Sequence, residues 1–297
     1  MDNKTLTKEL KKNAVIINAA LKKFLPKDNS LISQTMRYAV LNGGKRLRPF
    51  LVITAAELVG GNIKFVLPAA CALEYVHSYS LVHDDLPAMD NDDLRRGKPT
   101  THKKFGEAAA ILCGDALLTE SFKLIIKSQA KAEYKNIAVG VLADFAGYQG
   151  MVGGQVEDTL ETDGWKKKRI TYLSEKLLSI EAKKTSALLT ASLYTGAVLS
   201  GANEKQKEAF LNYGFHIGCA FQIADDILDV YADKKLLGKK GSDKDNNKLT
   251  ALSLFGKEGA QEKASSHIKA AKAVLKTFGK KADILRALAD YIVDRTY

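Results

Sequence analysis

The sequence has few of the residues that define disulfide-stapled proteins or zinc modules. It contains only three cysteines in 297 residues, Cys71, Cys113 and Cys219, which lie far apart in apolar stretches. No metal-ligand spacing links them, so we expect buried free thiols in a reducing compartment. Segments of alternating apolar and polar residues are also lacking, which disfavours strands and leaves helices as the expected elements.

Targeting and membrane segments are lacking as well. No run of about 18 uncharged apolar residues exists, so no membrane span is expected. The first twelve residues are polar and charged, unlike a signal peptide, and we expect a cytoplasmic location. Neither a Ser-His-Asp order nor the glycine fingerprint of a dinucleotide site is present. The absence of an obvious nucleophile fits chemistry in which metals activate a leaving group.

The charge is unbalanced toward the positive side. The formal net charge is +11, which fits an anionic ligand, a nucleic acid or a membrane surface. We find no RNA-binding or zinc-finger signature, so no nucleic-acid partner is expected. Hydrophobic residues make up 46% of the chain, enough for a core, and this excludes global disorder.

A dense aspartate cluster follows an apolar run at residues 67–82. Carboxylates at the end of a buried helix repel one another and are costly to desolvate. Mg²⁺ removes both costs and usually shares such ligands with a substrate phosphate, while guanidinium groups bind phosphate oxygens. The alternative interpretation is a solvated acidic loop that caps a helix. The cluster consists of Asp84, Asp85, Asp90, Asp92 and Asp93, followed by Arg95 and Arg96.

A second aspartate cluster, residues 221–229, makes the loop interpretation less attractive. Asp225 and Asp229 are four residues apart in an apolar helical stretch and share one helix face, with Asp226 offset. Like charges at this spacing destabilise a helix unless a positive group lies between them. Two such clusters indicate the facing walls of one metal site.

Apolar residues recur at helical spacing along almost the whole chain. Ser30 is a candidate cap, and Pro49 and Pro68 fit the first turns of two helices. The fold prediction is all-α, a single large antiparallel bundle formed by one domain over residues 1–297. Loops are expected at 91–104 and 232–248. The expected helices cover residues 6–25, 30–41, 49–59, 68–84, 107–129, 134–158, 168–199, 204–231 and 259–293, with a kink near Gly196 and a break near Gly279.

Several motifs in a fixed order resemble one enzyme family. A glycine-turned basic loop, which lacks the P-loop pattern, precedes the first aspartate cluster, and Gly-Gly-Gln and Lys-Thr steps precede the second. Together they resemble the trans (E)-polyprenyl diphosphate synthases, especially the bacterial short-chain members, over nearly the whole chain. The resemblance implies the isoprenoid synthase fold with a central cavity. The motifs occupy residues 43–49, 84–97, 114–118, 153–155, 184–185 and 221–229.

The resemblance implies a role for each matching residue, together with two or three Mg²⁺ ions. The implied metal ligands are Asp84, Asp90 and Asp225, with Asp85, Asp226 and Asp229 beside them. The implied ligands of an allylic diphosphate are Arg95, Lys184, Thr185, Gln222, Lys239 and Lys248. Those of isopentenyl diphosphate are Lys45, Arg48, His77 and Arg96. The implied catalytic set is Asp84, Asp85, Asp90, Lys184, Thr185, Gln222 and Asp225.

The resemblance also implies a reaction and an assembly. Dimethylallyl or geranyl diphosphate would ionise, and the double bond of isopentenyl diphosphate would attack the cation, giving farnesyl diphosphate (C15) in a homodimeric enzyme. Tyr79 lies about 7 to 8 Å below Asp84 along its helix and is the expected floor of the product cavity. The alternatives are that Tyr79 is ordinary core packing and that the product is C20 geranylgeranyl diphosphate.

Two departures from the family pattern concern the polar loop and residue 158. Thr250 is followed by Ala251 and Leu252 where an aromatic residue and a proline are usual. The 232–248 loop is therefore expected to close differently, and the role of Lys248 depends on how it closes. Asp158 follows Glu157, where the family usually has an apolar residue, and the sequence gives no interpretation of this change.

Other functions remain open at this point. A terpene cyclase shares an aspartate-rich helix, but it usually carries a different second motif and needs no isopentenyl diphosphate site. A non-catalytic subunit of a heteromeric synthase tends to lose one aspartate motif, whereas both are intact in this chain. A nucleic-acid binder would account for the net charge but not for the carboxylates.

Overall fold

Helices form nearly all of the part of the chain that the structure describes, as the apolar spacing predicts. The structure is a computed structural model and describes residues 1–161, 165, 168–231 and 248–294. The first eight helices are α1 (Asn3–Phe24), α2 (Leu31–Leu41), α3 (Leu47–Leu58), α4 (Ile63–Asp84), α5 (Thr101–Phe105), α6 (Glu107–Ile126), α7 (Ala132–Ala146) and α8 (Met151–Leu160).

The second half begins with a helix that changes its hydrogen-bonding pattern. Helix α9 (Ile170–Ile180) runs into a π-helical turn (Glu181–Ser186) and then into α10 (Ala187–Leu199). It is followed by α11 (Glu204–Tyr231), α12 (Ala251–Val274), a 3₁₀ segment (Leu275–Ala282) and α13 (Asp283–Asp294). Two short strands, β1 (Leu94–Arg95) and β2 (Lys98–Pro99), pair antiparallel within the predicted loop at 91–104.

The core is built around two helices that are apolar on nearly every side. Helix α4 packs against α3 and α6, and α10 packs against α3, α7 and α11. Helices that are apolar all round belong in the interior, whereas outer helices need only one apolar stripe. The first aspartate cluster begins at the last residue of α4, and the second lies on α11, which packs against α10. Both clusters therefore lie at the same end of the bundle. The all-α prediction is confirmed.

The local signals at helix starts are mostly confirmed. The Ser30 hydroxyl accepts a hydrogen bond from the Ser33 amide and caps α2, and Pro49 lies in the first turn of α3. The prediction for Pro68 is wrong. Helix α4 starts earlier, where the Asn62 side chain accepts a hydrogen bond from the Lys64 amide. Pro68 therefore lies inside the helix, where burial of its ring accompanies the loss of one backbone hydrogen bond.

Two long helices predicted from sequence are interrupted. The segment 134–158 breaks between α7 and α8, where Gly147 and Gly150 have non-helical backbone angles and where a Cβ on either would clash with a preceding carbonyl group. The segment 168–199 is interrupted by the π turn rather than by a kink at Gly196. That glycine lies within α10 and allows close packing on α3, since a Cβ there would lie 2.1 Å from the Val52 carbonyl oxygen.

All three cysteines are buried and free, as predicted. Among the described helices, α4 alone has the length and apolar composition to cross a bilayer, and 72% of that stretch is buried inside the protein. A central core helix of a globular domain has the same character. Residues 295–297, with those at 162–164, 166–167 and 232–247, lie outside the described part.

Candidate active site

Both aspartate clusters line one polar pocket of about 240 Å³ at the end of α4. Asp84 is the last residue of α4, and Asp90 lies in the turn that follows, where its amide donates to the Asp84 carbonyl oxygen at 2.9 Å. Asp225 and Asp229 reach the same pocket from α11. The helical spacing read from the sequence thus places these carboxylates on the face of α11 that is turned toward α4.

The pocket's electrostatics suit a hard cation. Burial, reinforced by Asp90 and Asp85 and opposed by Lys184 and Arg95, raises the pKa of Asp84 to about 6. Such a carboxylate gains a compensating charge when a cation binds. Within the described residues, no three acidic, imidazole or thiol groups converge on one point. Mg²⁺ still fits, because it is commonly held by one or two carboxylates together with water and substrate phosphates.

Asp85 faces a different partner from its neighbour. It is buried as the C-terminal cap of α4, and its Oδ1 accepts hydrogen bonds from Arg95, with the Nε at 2.6 Å. Asp92 lies 3.5 Å from the same guanidinium. Burial raises the pKa of Asp85, and the Arg95 hydrogen bond opposes that shift. This pairing fixes Arg95 at the edge of the aspartate pocket. Asp85 therefore orients the Arg95 guanidinium and does not itself line the pocket.

Two lysines enter the pocket from the second half of the chain. The Lys184 ammonium donates to Asp158 Oδ2 at 2.6 Å. Lys248 lies 3.6 Å from Asp90 Oδ1 and 3.8 Å from Asp158 Oδ2. The structure therefore brings Lys248 into the pocket, although the loop before it departs from the family pattern. Lys239 lies outside the described residues, and its role stays a prediction.

Thr185 and Gln222 form a short hydrogen-bonded chain. The Thr185 hydroxyl donates to Gln222 Oε1, and Gln222 Nε2 donates to Asp226 Oδ1 at 2.8 Å. These hydrogen bonds orient the Gln222 amide. Asp226 is buried, whereas Asp225 is half-buried.

The basic loop at residues 43–49 is anchored by a residue that the sequence analysis did not assign. Arg46 has a positive φ of 53° and caps α3. Its buried guanidinium pairs with Glu74 at 2.6 Å and also donates to Asn18 and to the Val40 carbonyl oxygen. Lys45 next to it is exposed. The ion pair therefore fixes the loop on α4, one turn before His77.

Arg96 packs against the two glycines of the same loop. It has a positive φ, and its guanidinium donates to the Gly43 carbonyl oxygen. A Cβ on Gly44, whose φ is +118°, would lie 2.8 Å from the Arg96 Nη1. The glycines are thus required both by the backbone turn and by the approach of the arginine.

Arg48 and His77 lie in a second, mainly apolar cavity of about 530 Å³. Burial lowers the pKa of Arg48 to about 10, so the guanidinium still carries its charge at neutral pH. Burial and four arginines, Arg48 first among them, hold the pKa of His77 well below its usual value, so its imidazole is neutral. A neutral ring can donate to an anion without adding charge to an already basic region.

Tyr79 lines the apolar cavity, as the floor hypothesis requires. Its ring is buried and packs edge-on against His83 with centroids 5.8 Å apart. The His83 Nε2 lies 3.1 Å from the Ile111 carbonyl oxygen, and a Cβ on Gly114 would collide with that ring. The opposite wall comes from α8, including Gln155.

The two cavities meet at Leu81, Asp84 and Lys184, which line both. A ligand at this junction has carboxylates and cations on one side and an apolar chamber on the other. This geometry suits an amphiphile with a charged head and an apolar tail, at the point where the two parts join.

Some residues of the site were not assigned a role from the sequence. Asp158 pairs with Lys184 and Lys248, and the only sequence signal was an unexplained acid three residues after the Gly-Gly-Gln step. Glu74 carried no signal beyond being an acid in an apolar helix. Asp158 and Glu74 each pair with basic side chains from distant segments, and such pairs can be identified only once the fold is known.

Comparison with known proteins agrees with this geometry. Residues 29–291 match the polyprenyl synthetase family model. The chain is 45% identical to the farnesyl diphosphate synthase of Bacillus subtilis over 270 residues, covering 90% of this chain and 89% of the relative. It is also 45% identical to the geranylgeranyl diphosphate synthase of Cyanophora paradoxa over 285 residues, covering 94% and 93%.

A solved structure gives the same result. The apo structure of an FPP/GFPP synthase from Zymomonas mobilis superposes with a TM-score of 0.85 at 36% identity, covering 97% of this chain and 99% of that one. The family match, at residues 29–291, spans the helices that carry both aspartate clusters, the basic loop and the π turn. The chain therefore belongs to the polyprenyl synthetase family and is an enzyme of trans-prenyl chain elongation.

Proposed function

We propose that the protein condenses isopentenyl diphosphate with dimethylallyl or geranyl diphosphate and releases farnesyl diphosphate. The observation that carries this proposal is the junction at Asp84 and Lys184, where the polar pocket opens into the apolar cavity. An allylic diphosphate bound across it has its head among the charges and its tail in the apolar chamber. The carbon–oxygen bond that breaks, between the tail and the diphosphate, then lies where the polar pocket meets the apolar cavity.

The chain's own side chains support an ionisation and alkylation mechanism. Lys184, Arg95 and Lys248 bind the allylic diphosphate, with Lys239 as a further predicted ligand, and they stabilise the charge that develops as its carbon–oxygen bond breaks. Thr185 and the oriented Gln222 present oxygen dipoles toward the allylic cation. Lys45, Arg48, His77 and Arg96 hold isopentenyl diphosphate so that its double bond attacks that cation. The proton lost afterwards goes to the released diphosphate.

Members of the polyprenyl synthetase family use Mg²⁺. Bound Mg²⁺ neutralises diphosphate oxygens and improves the leaving group. We propose two or three ions held by Asp84 and Asp90 on one wall and Asp225 on the other. The raised pKa of Asp84 and the spread of the carboxylates around one pocket support this arrangement.

A C15 product is supported by the position of Tyr79 in the cavity. The ring is buried five residues before Asp84 and is held by its contact with His83, so it limits the length of tail that can extend along α4. The second candidate is a C20 product, because relatives that make geranylgeranyl diphosphate are as similar to this chain as those that make farnesyl diphosphate.

A product-length assay tests the proposal. Purified protein is incubated with Mg²⁺, isopentenyl diphosphate and either dimethylallyl or geranyl diphosphate, and the dephosphorylated products are sized. We expect a C15 alcohol from both starters. A C20 or longer alcohol would keep the mechanism and overturn the C15 assignment. No condensation product from folded protein would indicate a non-catalytic subunit of a heteromeric synthase.

We also propose that the enzyme is a homodimer. Large apolar side chains are exposed along α6, α7 and the turn before α8, including Leu112, Ile137 and Tyr148, of which Tyr148 is 81% exposed. Exposed large apolar side chains on neighbouring elements are typical of a subunit interface. Light scattering after size exclusion should give twice the 32.4 kDa chain mass, and the L112D variant should elute as a monomer.

A further inference from the structure

A separate apolar groove lies at the opposite end of α4 from the aspartate pocket. Its volume is about 740 Å³, and its walls come from the outer face of α1, the start of α4 and the end of α6. Pro68 in this groove precedes Asp84 by 16 residues on α4, which corresponds to about 24 Å along the helix. The groove therefore takes no part in binding at the active site.

The charged residues that line the groove are all lysines. Lys23 comes from α1, Lys64 from α4 and Lys127 from the C-terminal cap of α6, and none of the described acidic residues lines the groove. Within the described part of the chain, none of these three ammonium groups has a carboxylate within 4 Å, whereas most lysines near the active site are paired. Helix α1 adds further positive charge, with six lysines and one glutamate.

Apolar side chains are exposed beside these lysines. Val15 is 70% exposed and Ile16 37% exposed on α1, at the groove itself. Phe65, the chain neighbour of Lys64, is exposed as well. A free phosphate would contact the lysines but leave the apolar side chains in water. An anionic bilayer contacts both, because its headgroups carry the negative charge and its acyl chains lie just beneath.

We propose that this end of the molecule is a docking surface for a membrane that contains anionic phospholipids. The three lysines bind headgroup phosphates, while Val15 and Ile16 enter the boundary between headgroups and acyl chains and the groove receives chain segments. Each lysine near an anionic surface contributes roughly fivefold to the partition coefficient. The aspartate pocket at the far end of α4 stays open to water and to its substrates. The inference is independent of the product that the enzyme makes.

Vesicle co-sedimentation tests the proposal with the full chain. We expect the protein to sediment with vesicles of phosphatidylcholine mixed with phosphatidylglycerol and to stay in the supernatant with phosphatidylcholine alone. The triple variant Lys23→Glu, Lys64→Glu, Lys127→Glu should lose at least tenfold in affinity for the anionic vesicles. The matched control reverses Lys257, Lys269 and Lys276, which are outside the groove, and gives the same change in net charge.

Two further outcomes bear on the inference. Equal loss of binding in both triple variants would mean that net charge alone attracts the protein to the vesicles, and it would overturn the assignment of the groove. The double variant Val15→Ser, Ile16→Ser should weaken vesicle binding without changing the elution volume on size exclusion. A change from dimer to monomer in that variant would identify the groove as an interface between copies and would also overturn the proposal. Circular dichroism and turnover check that each variant is folded.

Discussion

The pair formed by Arg46 and Glu74 shows how a single buried contact organises the substrate loop. Both side chains are almost completely buried and lie 2.6 Å apart. Burying two charges is costly, so such a pair gives little net stability, but removal of one partner leaves an uncompensated charge in the interior. Since Arg46 lies between Lys45 and Leu47, and Glu74 lies one turn before His77, the pair fixes the relative position of two groups of proposed isopentenyl diphosphate ligands.

The Glu74→Gln variant should lose stability and second-substrate affinity together. We expect a loss of about 3 kcal/mol in the free energy of unfolding, because the Arg46 charge stays buried without a partner. The KM for isopentenyl diphosphate should rise more than the KM for the allylic substrate. Urea unfolding and steady-state kinetics measure both. As a control, Glu120→Gln breaks an exposed pair with Lys123 and should change the free energy of unfolding by less than about 1 kcal/mol. Equal changes in the two KM values would contradict the positioning role.

Glu181 is a buried carboxyl that gives the fold a pH dependence. Burial raises its pKa from 4.5 to about 8, although Lys263 opposes the shift, and among the described residues its Oε1 has no hydrogen-bond partner. The unfolded chain loses this proton near pH 4.5, whereas the folded chain keeps it to about pH 8. The folded state therefore binds more protons in this window, and the free energy of unfolding falls as the pH rises through it.

The Glu181→Gln variant should remove this contribution. Denaturant unfolding in the presence of a chelator, repeated from pH 5 to pH 8.5, measures the free energy of unfolding of both proteins. We expect the free energy of unfolding of the variant to rise relative to that of the wild-type protein as the pH rises, because the amide cannot ionise. Parallel curves would show that the carboxyl is ionised in the folded protein at neutral pH.

We expect the Tyr79 side chain alone to determine the chain length of the product. Tyr79→Ala removes the ring from the cavity and opens space along α4 toward its N-terminal half, so the product distribution should shift from C15 to C20 and longer. Tyr79→Phe keeps the ring and loses only a hydroxyl that has no hydrogen-bond partner in the described part of the chain, so it should still give C15. Sizing of the dephosphorylated products measures both. An unchanged product from the alanine variant would assign Tyr79 to core packing.

At the scale of elements, the π turn between α9 and α10 determines where Lys184 and Thr185 point. A π turn adds a residue to the helix and shifts the side chains that follow. Helix α8 packs directly on this turn at Gly154, where a Cβ would lie 2.3 Å from the Lys184 backbone nitrogen. The approach of α8 also brings Asp158 to the Lys184 ammonium.

Gly154→Ala should therefore displace the turn and reduce turnover. A displacement of about 1 Å can cost on the order of 100-fold in rate, so we expect kcat/KM to fall by at least tenfold with a smaller effect on Tm. The matched control is Gly140→Ala in α7, where no atom lies within 4 Å of the added Cβ and where alanine favours the helix. Similar kinetics in the two variants would mean that the turn tolerates the shift.

Helix starts could be predicted where they depend on the local sequence. Helix boundaries and interruptions that depend on packing between distant segments could not. Ser30 and Pro49 mark helix starts because capping and proline geometry depend only on the nearby backbone. The helix start predicted at Pro68 was wrong because the local sequence does not distinguish a proline in a first turn from one within a helix. The π turn has helical periodicity on both sides, so the sequence pattern does not mark it. In the structure, Gly154 and Gly218 pack closely on its residues Lys184 and Ser186.

At the scale of the whole molecule, the charges of distant segments meet in one pocket. The aspartates could be predicted because two acidic clusters in apolar helices need a shared cation, and the structure brings both to one end of the bundle. The partners of the lysines could not be predicted. Lys248 reaches Asp90 across 158 positions of sequence, a contact that depends on the path of every helix between them. The excess of positive charge is likewise uneven, because the three lysines at the far groove have no carboxylate within 4 Å among the residues that the structure describes.

Ligands that bridge the two aspartate walls should stabilise the whole fold. Mg²⁺ with inorganic diphosphate binds only the folded chain, and at about 100 times its Kd it adds about 2.7 kcal/mol, or a rise in Tm on the order of 5 °C. Differential scanning fluorimetry measures the shift, and a chelator should reverse it. Asp84→Asn or Asp225→Asn should remove most of it, because each breaks one wall, whereas Asp144→Asn on the exposed face of α7 should leave it unchanged. A full shift in the two wall variants would mean that the anion binds through the lysines and arginines alone.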